Sequence, residues 1–481
     1  MNAAHAEAPP PPREGRTNAM TRVAVLDVGK TNVKLNAADA DGTILETLST
    51  PNVVHPAPPY RHHDVAGLEA WVIDALRDLG RRHAISAIVP CGHGSGGVLV
   101  DAAGPAMPMI DYEDTPPERV NALYRAQVGG FAERGSPIML GASHMARQML
   151  WLETCFPDAF ARATAFLGLP QYWAWRLSGV AASEYTILGA QSHLWNVPAR
   201  RFAPIVAARG WTGKLPPLAP AWATLGTLTP AIAARTGLSP ATRVVCGIHD
   251  SSANFYRYQA AGLRGLTVVS TGTWIVGLSD ETPPEALDEA RGMGCNADPA
   301  GRPLAGALCM GGREFVLIAG EQPEGASVDP AVLAAMVARG TLATPCFGEE
   351  DGLLPGRARK GGFVGPPPDT AAERRAVALL ATVLLTDLLL EALGSRGSVV
   401  LDGTFVRDPL YPALVAALRP GRETTYNLHG YGTAAGAALL AGHDARATPA
   451  PLALQTPAAL ELPGLPSYRA RWRALATERS A

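Results

Sequence analysis

The sequence has little charge and almost no imbalance between the two signs. Charged residues make up 17% of its 481 positions, and 41 Lys and Arg against 43 Asp and Glu leave a formal net charge of −2. We find no basic stripe, which disfavours a nucleic-acid partner. We also find no uninterrupted apolar run long enough to span a bilayer. The 47% of hydrophobic residues predict a soluble globular protein, long enough for two or three domains.

Cysteine is also scarce, and its placement limits the chemistry to consider. The six cysteines are Cys91, Cys155, Cys246, Cys295, Cys309 and Cys346. They form no C-x-x-C pair, which favours reduced thiols in the cytoplasm over a disulfide framework or a zinc site. Residues 1–20 contain a proline run and no apolar segment of the kind found in secretory signals. We therefore predict a disordered tail over 1–20 and a cytoplasmic protein.

Two stretches predict β-hairpins with unusual tips. The first is VAVLDVGKTNVKL at 23–35, and the second is LTVVSTGTWIVGL at 266–278. A plain hairpin needs glycine only for its turn. The first also carries an acid at the end of its first strand, a cation and small polar side chains, and both place glycine among small hydroxyl residues. Strand and helix patterns mix along the rest of the chain, which predicts an α/β fold.

Together the two hairpins have the chemistry to hold a polyphosphate from both sides. Backbone N–H groups in such turns point at anionic oxygens, and glycine lets the backbone come close. Asp27 suits Mg²⁺, which takes one or two carboxylates together with phosphates. Side-chain donors are available from Thr31, Asn32, Ser270, Thr271 and Thr273. The alternative is two ordinary hairpins with Asp27 as a turn former, and the presence of the pattern twice favours phosphate binding.

The segment GIHDSSANFY places Asp250 between a predicted strand and a predicted helix. A carboxylate at a helix N-terminus is often only a cap. Phosphoryl transfer to an alcohol, however, needs one carboxylate to orient the hydroxyl and accept its proton. The neighbouring His249 has no second His or Cys at metal-ligand spacing, so we interpret it as a positioning or substrate-contacting residue.

Seven segments occur in a recognisable order: DVGKTNVK, GLPQYWAWRLSGVAASEYT, GIHDSSAN, STGTW, GGREF, VLDGTFVRDPLYPAL and GTAAGAALLAG. In this order and spacing they resemble the FGGY family of carbohydrate kinases, over roughly residues 22–442. The likeness is greatest to the rhamnulokinase and fuculokinase branch, where HD precedes the helix and SGTW forms the second phosphate loop.

The resemblance implies an α/β protein with two actin-like (ribonuclease H-like) domains and a cleft between them. Sugar binds mainly on the first domain of such proteins and ATP mainly on the second. We place the domains at 21–246 and 247–445, with a C-terminal extension over 446–481. The implied reaction is ATP- and Mg²⁺-dependent phosphorylation of a sugar, ketose or polyol hydroxyl. The implied partner is that small molecule, and a homodimer stays open.

The resemblance also assigns residues to roles. Asp27 matches the Mg²⁺-associated acid, and Asp250 matches the general base. Nucleotide contacts fall on Gly29, Lys30, Thr31, Asn32, Lys34, Ser270, Thr271, Gly272, Thr273, Gly311, Gly403 and Thr404. Sugar contacts fall on His93, Gly94, Ser95, Asp111, Glu113, Glu184, Tyr185, His249 and Asp250.

The sequence departs from the family pattern at three places. Lys30 stands where the first loop usually has a small residue, so it either reaches a phosphate or is solvated. Asp402 and Arg407 replace a glycine and an amide in the adenosine loop, which leaves the adenine contacts open. The sugar loop GHGSGG lacks the aromatic residue or aspartate of several relatives, so the sugar stays unassigned.

Other functions remain to be weighed, because actin-like folds also host non-catalytic sugar sensors, regulators and filament formers. A regulator would need a DNA-binding segment, and neither terminus shows one. A filament former would not need a base at Asp250. An acyl-phosphate-forming kinase would need an arginine pair for its carboxylate substrate, and none is evident. The two loops together with Asp250 favour the carbohydrate kinase.

Overall fold

The computed structural model describes residues 22–323, 326–428 and 430–477. The disordered tail predicted for 1–20 lies outside these residues. Within them the chain forms two mixed β-sheets flanked by helices, in agreement with the predicted α/β class. No helix in this described part of the chain is both long and apolar enough to cross a membrane.

The first sheet has seven strands and contains the first predicted hairpin. In spatial order the strands are Thr224–Thr227, Arg243–Val245, Ile85–Gly92, Arg22–Val28, Asn32–Asp39 and Ile44–Pro51, and Ile248–His249 also pairs with Ile85–Gly92. The dipeptide Asp41-Gly42 makes the turn between the strands Asn32–Asp39 and Ile44–Pro51, where Gly42 adopts a φ of 89° that favours glycine. The first sheet buries apolar side chains that alternate along its strands, such as Val23, Val25 and Leu35.

The predicted strand TRVVCGIHD is present but interrupted. Arg243–Val245 and Ile248–His249 both pair with Ile85–Gly92, and Gly247 between them has a φ of 93°. A Cβ at Gly247 would lie 2.5 Å from the Pro90 carbonyl oxygen, so only glycine fits this bend. The bend carries the chain back onto the sheet and places His249 opposite Gly92.

The second sheet has six strands and contains the second predicted hairpin. In spatial order they are Met293–Ala297, Pro303–Cys309, Ile275–Ser279, Leu266–Thr271, Ser398–Gly403 and Thr424–Tyr426. Smaller sheets pair Val54–His55 with His62–His63, Gly97–Asp101 with Gly104–Pro105 and Ala165–Gly168, Ser183–Glu184 with Leu218–Ala219, Trp195–Asn196 with Arg201–Phe202, and Leu342–Thr344 with Gly362–Val364.

Helices cover the faces of both sheets. The α-helices of the described residues are Val65–Arg82, Glu118–Gln127, Phe131–Arg134, Met145–Cys155, Pro157–Arg162, Leu169–Ser178, Tyr185–Gly189, Pro204–Ala208, Pro230–Thr236, Asp250–Ala260, Gly311–Ala319, Pro330–Arg339, Ala371–Ala392, Leu410–Ala417, Gly432–Leu440 and Leu465–Thr477. Short 3₁₀ turns occupy Trp211–Lys214, Pro284–Ala286, Glu289–Arg291 and Phe405–Arg407.

The helix Ala371–Ala392 forms the centre of the second domain's core. It begins at a capping box in which Thr370 and Glu373 each satisfy the other's backbone N–H. From Ala376 onward nearly all of its residues are buried, in the same apolar cluster as Leu401 of the second sheet. This packing fixes the strand Ser398–Gly403 and therefore the loop that follows it.

Candidate active site

Three parallel strands of the first sheet end side by side, and the predicted reactive groups lie at that edge. Asp27 on the strand Arg22–Val28 is the register partner of Cys91, and Val28 that of Gly92. Gly92 is in turn the partner of His249, directly before Asp250. The sheet therefore brings the predicted metal-binding acid, the start of the predicted sugar loop and the predicted base to one edge, where ligands bind in α/β proteins.

Asp27 has an environment that fits a cation. The pKa of Asp27 is raised to about 7, mainly by burial and also by the negative charge of Asp250, while the positive charge of Lys34 acts in the opposite direction. Two carboxylates that repel each other favour a positive charge near them. The described residues contain no cluster of three or more His, Cys, Asp or Glu at metal-ligand spacing. One protein carboxylate together with phosphates and waters is the arrangement that Mg²⁺ commonly takes.

Asp250 begins the helix Asp250–Ala260, but it does not cap it. The capping position belongs to His249, whose side chain makes no cap hydrogen bond. Asp250 Oδ1 accepts hydrogen bonds from the Ser251 backbone N–H at 2.5 Å and the Ser251 hydroxyl at 3.1 Å. One third of the Asp250 side chain is exposed. The carboxylate is therefore oriented by its neighbour and still open to a substrate hydroxyl.

The tip of the first hairpin is a closed turn that presents polar side chains to solvent. Gly29 N–H donates to Asn32 O at 3.1 Å, and a Cβ at Gly29 would lie 2.9 Å from that oxygen. Thr31, Asn32 and Lys34 are exposed. Asn52 Nδ2 donates to Gly29 O at 2.8 Å and fixes the turn from behind. This geometry is compatible with the predicted phosphate contacts.

Lys30 takes neither of the two positions weighed from the sequence. Its ammonium group forms an ion pair with the fully buried Asp111 and lies 3.5 Å from Glu113. It also lies over the ring of Tyr112. Arg61 pairs with the second oxygen of Asp111 at 2.8 Å. The hairpin tip is thus tied to the segment that carries two of the predicted sugar-contacting acids.

The second hairpin is tied to the helix Gly311–Ala319 and to the adenosine loop. Gly312 N–H donates to Thr273 O at 3.1 Å, and a Cβ at Gly311 would lie 2.2 Å from Ile275. The Thr271 hydroxyl donates to Asp402 O at 2.7 Å and accepts from Phe405 N–H at 3.1 Å. This hydroxyl is therefore occupied and does not fit the predicted phosphate contact.

Other predicted nucleotide contacts stay accessible. Thr273 and Thr404 are exposed, and Ser270 is half-buried. Gly403 has a φ of 96°, and a Cβ there would lie 2.1 Å from Thr271 O, so the close approach requires glycine. A Cβ at Gly272 would meet no atom closer than Trp274 O at 4.0 Å. Gly272 therefore faces open space, as a predicted phosphate contact requires.

The two residues that depart from the family pattern in the adenosine loop, Asp402 and Arg407, lie in different environments. Asp402 is buried, and it accepts a hydrogen bond from the Tyr258 hydroxyl at 2.7 Å and from the Gly403 N–H at 2.6 Å. Burial raises the pKa of Asp402. The carboxylate thus holds the loop from inside and does not face the nucleotide. Arg407 is exposed.

The predicted sugar loop gathers polar groups around His93. Burial lowers the pKa of His93 to about 3, so the ring is neutral, and neither ring nitrogen has a partner among the described residues. A Cβ at Gly94 would lie 3.1 Å from His249 Nε2, so the loop touches the residue before the predicted base. Ser95 O accepts from Gln148 Nε2 at 2.7 Å. His93 is thus the free polar group of this loop.

Glu184 and Tyr185, two further predicted sugar contacts, lie apart from the polar residues around His93. Glu184 is fully buried and caps the helix Tyr185–Gly189, with both oxygens accepting from Thr186 or Ile187. Tyr185 packs against Gly301. Neither placement fits a direct sugar contact.

Sequence reasoning missed Thr186, whose hydroxyl connects Glu184 to His249, the residue before the predicted base. This hydroxyl donates to Glu184 Oε2 at 2.6 Å and accepts from His249 N–H at 2.9 Å. Arg61 was missed as well. For Thr186 the available signal was only the pattern SEYT, in which the acid Glu184 stands two residues before the threonine. This pattern is typical of a helix cap and does not predict the contact with His249, 63 residues away.

Comparisons with known proteins agree with this arrangement. The model of the FGGY family of carbohydrate kinases, N-terminal domain, matches residues 23–255, and that of the carbohydrate kinase FGGY, C-terminal domain, matches residues 264–449. L-fuculokinase of Salmonella typhi is 27% identical over 296 residues, which are 57% of this chain and 60% of that protein. The match therefore spans less than two thirds of that relative.

Solved structures match over nearly the whole chain. A carbohydrate kinase from Novosphingobium aromaticivorans is 33% identical with a TM-score of 0.83, covering 95% of this chain and 99% of that one. A xylulose kinase from Lactobacillus acidophilus has the same fold at 16% identity, with a TM-score of 0.77 and coverage of 95% and 96%. The predicted fold of two actin-like domains is confirmed. The chain belongs to the FGGY family of carbohydrate kinases.

Proposed function

We propose that this chain transfers the γ-phosphoryl group of ATP to a hydroxyl of a ketose or polyol, with Asp250 as the general base. The observation that supports this best is the common position of Asp27, the sugar loop and Asp250 at one edge of the first sheet. Phosphoryl transfer depends mainly on positioning and on charge neutralisation, and these groups supply both.

In the proposed reaction Asp250 accepts the proton of the attacking hydroxyl. As that oxygen forms its bond to phosphorus, the bond between phosphorus and the departing ADP oxygen breaks. The backbone N–H groups of the two hairpin tips hold the phosphates in line. Mg²⁺, when bound, would neutralise charge on the transferring phosphates, and Asp27 is the residue that would hold it.

The sugar end of the site supports a polyhydroxylated, uncharged acceptor. The cations Lys30 and Arg61 are paired with Asp111 and Glu113, so neither cation is available to pair with a negatively charged acceptor. The neutral ring of His93 adds two buried nitrogens that have no partner among the described residues, and a sugar hydroxyl that reached the ring would satisfy one of them. Relatives named L-fuculokinase and L-xylulose kinase support ketoses as the first acceptors to test.

The test is ADP release from Mg-ATP with a panel of acceptors. The panel contains L-fuculose, L-rhamnulose, L- and D-xylulose, L-ribulose, glycerol and xylitol, each measured against a reaction without acceptor. We expect at least one ketose or polyol to raise ADP release well above the blank, with the phosphorylated sugar found by mass spectrometry. ADP release that no acceptor changes would contradict the proposal and leave an ATPase or a sensor.

A further inference from the structure

His249, the residue before the proposed base, is held by two hydroxyl groups from opposite sides. Its backbone N–H donates to the Thr186 hydroxyl, which donates in turn to Glu184. Its ring nitrogen Nδ1 lies 3.3 Å from the Ser252 hydroxyl oxygen. The Ser252 hydroxyl donates to Ala297 O at 2.9 Å, on the edge strand of the second sheet. Both the peptide and the ring are therefore oriented.

These contacts determine which ring nitrogen carries the proton. A serine hydroxyl has one hydrogen, and that of Ser252 is used on Ala297 O, so Ser252 can only accept from His249. Nδ1 is therefore the protonated nitrogen of the neutral ring. Turning the ring over would place carbon atoms at both polar contacts, so the network selects the present orientation.

The second nitrogen then faces the proposed base with a lone pair. His249 Nε2 lies 3.1 Å from Asp250 Oδ1. An unprotonated nitrogen and a carboxylate oxygen repel each other at that distance, and one proton placed between them turns the contact into a hydrogen bond. Burial lowers the pKa of His249 and the charge of Asp250 opposes this, so the ring is neutral before reaction.

We propose that His249 is a positioning residue that shares with Asp250 the proton removed from the sugar hydroxyl. This inference rests on the proposed kinase function and on Asp250 as its base. The proton passes from the substrate oxygen to Asp250, and Nε2 of His249 accepts a hydrogen bond from the protonated carboxyl. The oxygen–phosphorus bond forms, the bond to ADP breaks, and the pair releases its proton to solvent as products leave.

Other ionisable groups around His249 belong to four neighbouring segments. They are Asp27 on the strand Arg22–Val28, Cys91 and His93 at the end of Ile85–Gly92, Glu184 behind Thr186, and Asp298 after Met293–Ala297. Of the ionisable groups that the structure describes, Asp250 is the one within hydrogen-bond distance of Nε2. Measuring kcat at saturating Mg-ATP keeps Asp27 in one state, so its titration does not enter the profile.

The test compares His249→Asn with His55→Asn, a change at an exposed histidine, using the acceptor found in the panel. Asn keeps an N–H donor near Ser252 and lacks Nε2. We expect His249→Asn to lower kcat about tenfold or more and to move the acidic limb of the kcat–pH profile toward lower pH, because a carboxyl without Nε2 beside it holds its proton less tightly. The His55→Asn profile should match that of the unchanged protein.

Two outcomes separate this inference from the function on which it rests. If the unchanged protein transfers no phosphoryl group to any acceptor, the proposed function itself is wrong. An active His249→Asn enzyme whose acidic limb stays in place would overturn the inference and leave the function standing. Ser252→Ala gives a second variant, which removes the partner of Nδ1 together with the hydrogen bond to Ala297 O and leaves the His249 ring in place, and we expect the same direction of change with a loss of about three- to tenfold in kcat.

A spectroscopic measurement makes the test independent of variant folding. In the unchanged protein labelled with ¹⁵N-histidine, the His249 resonances should show a protonated Nδ1 and an unprotonated Nε2 at pH 8. The signal is assigned by its change on adding Mg-ADP and acceptor and, where it folds, by Ser252→Ala. A ring protonated at Nε2 instead would contradict the tautomer argument and the proposal with it.

Discussion

Asp250 is the first residue of its helix, and His249 occupies the capping position before it. This weakens the structural alternative, in which Asp250 is only a cap. We expect Asp250→Asn to lower kcat on the order of 10²–10⁴-fold, the usual cost of removing a general base. Affinity for ATP should change little, because the proposed phosphate contacts lie on the hairpins.

The matched control for Asp250→Asn is Asp329→Asn. Asp329 caps the helix Pro330–Arg339 by accepting from Ala331 N–H at 2.8 Å, and it lies outside the proposed site. Asn caps as well as Asp, so this variant should keep both kcat and thermal stability. Near-normal kcat in Asp250→Asn would show that Asp250 is not the base.

Asp27 predicts a pH dependence of stability in the metal-free protein. Its folded pKa of about 7 lies above the ordinary value of 3.8, so between these values the folded carboxyl keeps a proton that the unfolded one has lost. The stabilising contribution is complete below about pH 4 and is lost as the pH rises to about 7. Urea unfolding at pH 5 and pH 8 should show this slope, and it should be smaller in Asp27→Asn.

The same carboxyl predicts proton release on binding of Mg-ATP. A metal ligand must be deprotonated, so at pH 6 binding should release about one proton. Calorimetry in buffers of different ionisation enthalpy measures this number directly. Asp27→Asn should release fewer protons than the unchanged protein, and equal release from both would show that Asp27 is not the group that ionises.

At the scale of elements, the second hairpin offers the sharpest test. The φ of Gly272 is not in the left-handed region, so a side chain there would not strain the turn. Crowding of the phosphates remains. We expect Gly272→Val to fold normally and to weaken ATP binding about tenfold or more, as measured by calorimetry, because close backbone approach requires glycine.

Gly362→Val is the control for the second hairpin. Gly362 lies in the short strand Gly362–Val364, and a Cβ there meets no atom within 4 Å. This variant should bind ATP like the unchanged protein. Equal ATP affinity in Gly272→Val and Gly362→Val would show that the second hairpin does not approach the phosphates.

The first hairpin yields a separate prediction through Lys30. Lys30→Met removes one of the two cations that pair with the buried Asp111. We expect a loss of about 1–3 kcal/mol in the free energy of unfolding, the usual cost of leaving a buried polar group short of a partner. The KM for the sugar should rise while the KM for ATP changes little.

The control for Lys30→Met is Lys360→Met, which removes the same charge at an exposed position. Urea unfolding and steady-state kinetics should not distinguish this control from the unchanged protein. A rise confined to the KM for ATP in Lys30→Met would instead favour the phosphate contact weighed from the sequence.

What the sequence could predict follows from how local each signal is. The hairpin tips and the strand–helix junction at Asp250 are each formed by consecutive residues, so local sequence patterns were enough to predict them. The pairing of Lys30 with Asp111 joins positions 81 apart, and no local pattern encodes it. Thr271 was predicted from residue type alone, and only the register between Leu266–Thr271 and Ser398–Gly403 shows that its hydroxyl is taken.

At the scale of the whole molecule, the edge strand Met293–Ala297 is one place where the two predicted domains touch, and the packing of the helix Gly432–Leu440 on the first sheet is another. Cys295 N–H donates to Gly135 O at 2.7 Å, and Arg134 forms an ion pair with Glu289. The same strand ends at Ala297, whose carbonyl holds Ser252. The junction between domains therefore continues directly into the network around the proposed base.

Gly294 in this junction predicts an effect on both stability and turnover. A Cβ at Gly294 would lie 2.9 Å from Ser136 Cβ, so Gly294→Val inserts a side chain where the domains touch. Overpacking of this kind costs about 1–3 kcal/mol, and we expect a lower Tm together with a lower kcat, because the strand that carries Ala297 must shift. Gly213→Val, at a position with no atom within 4 Å of a Cβ, should leave both unchanged. If Gly294→Val lowers Tm while kcat stays the same, the junction supports the fold without influencing the base.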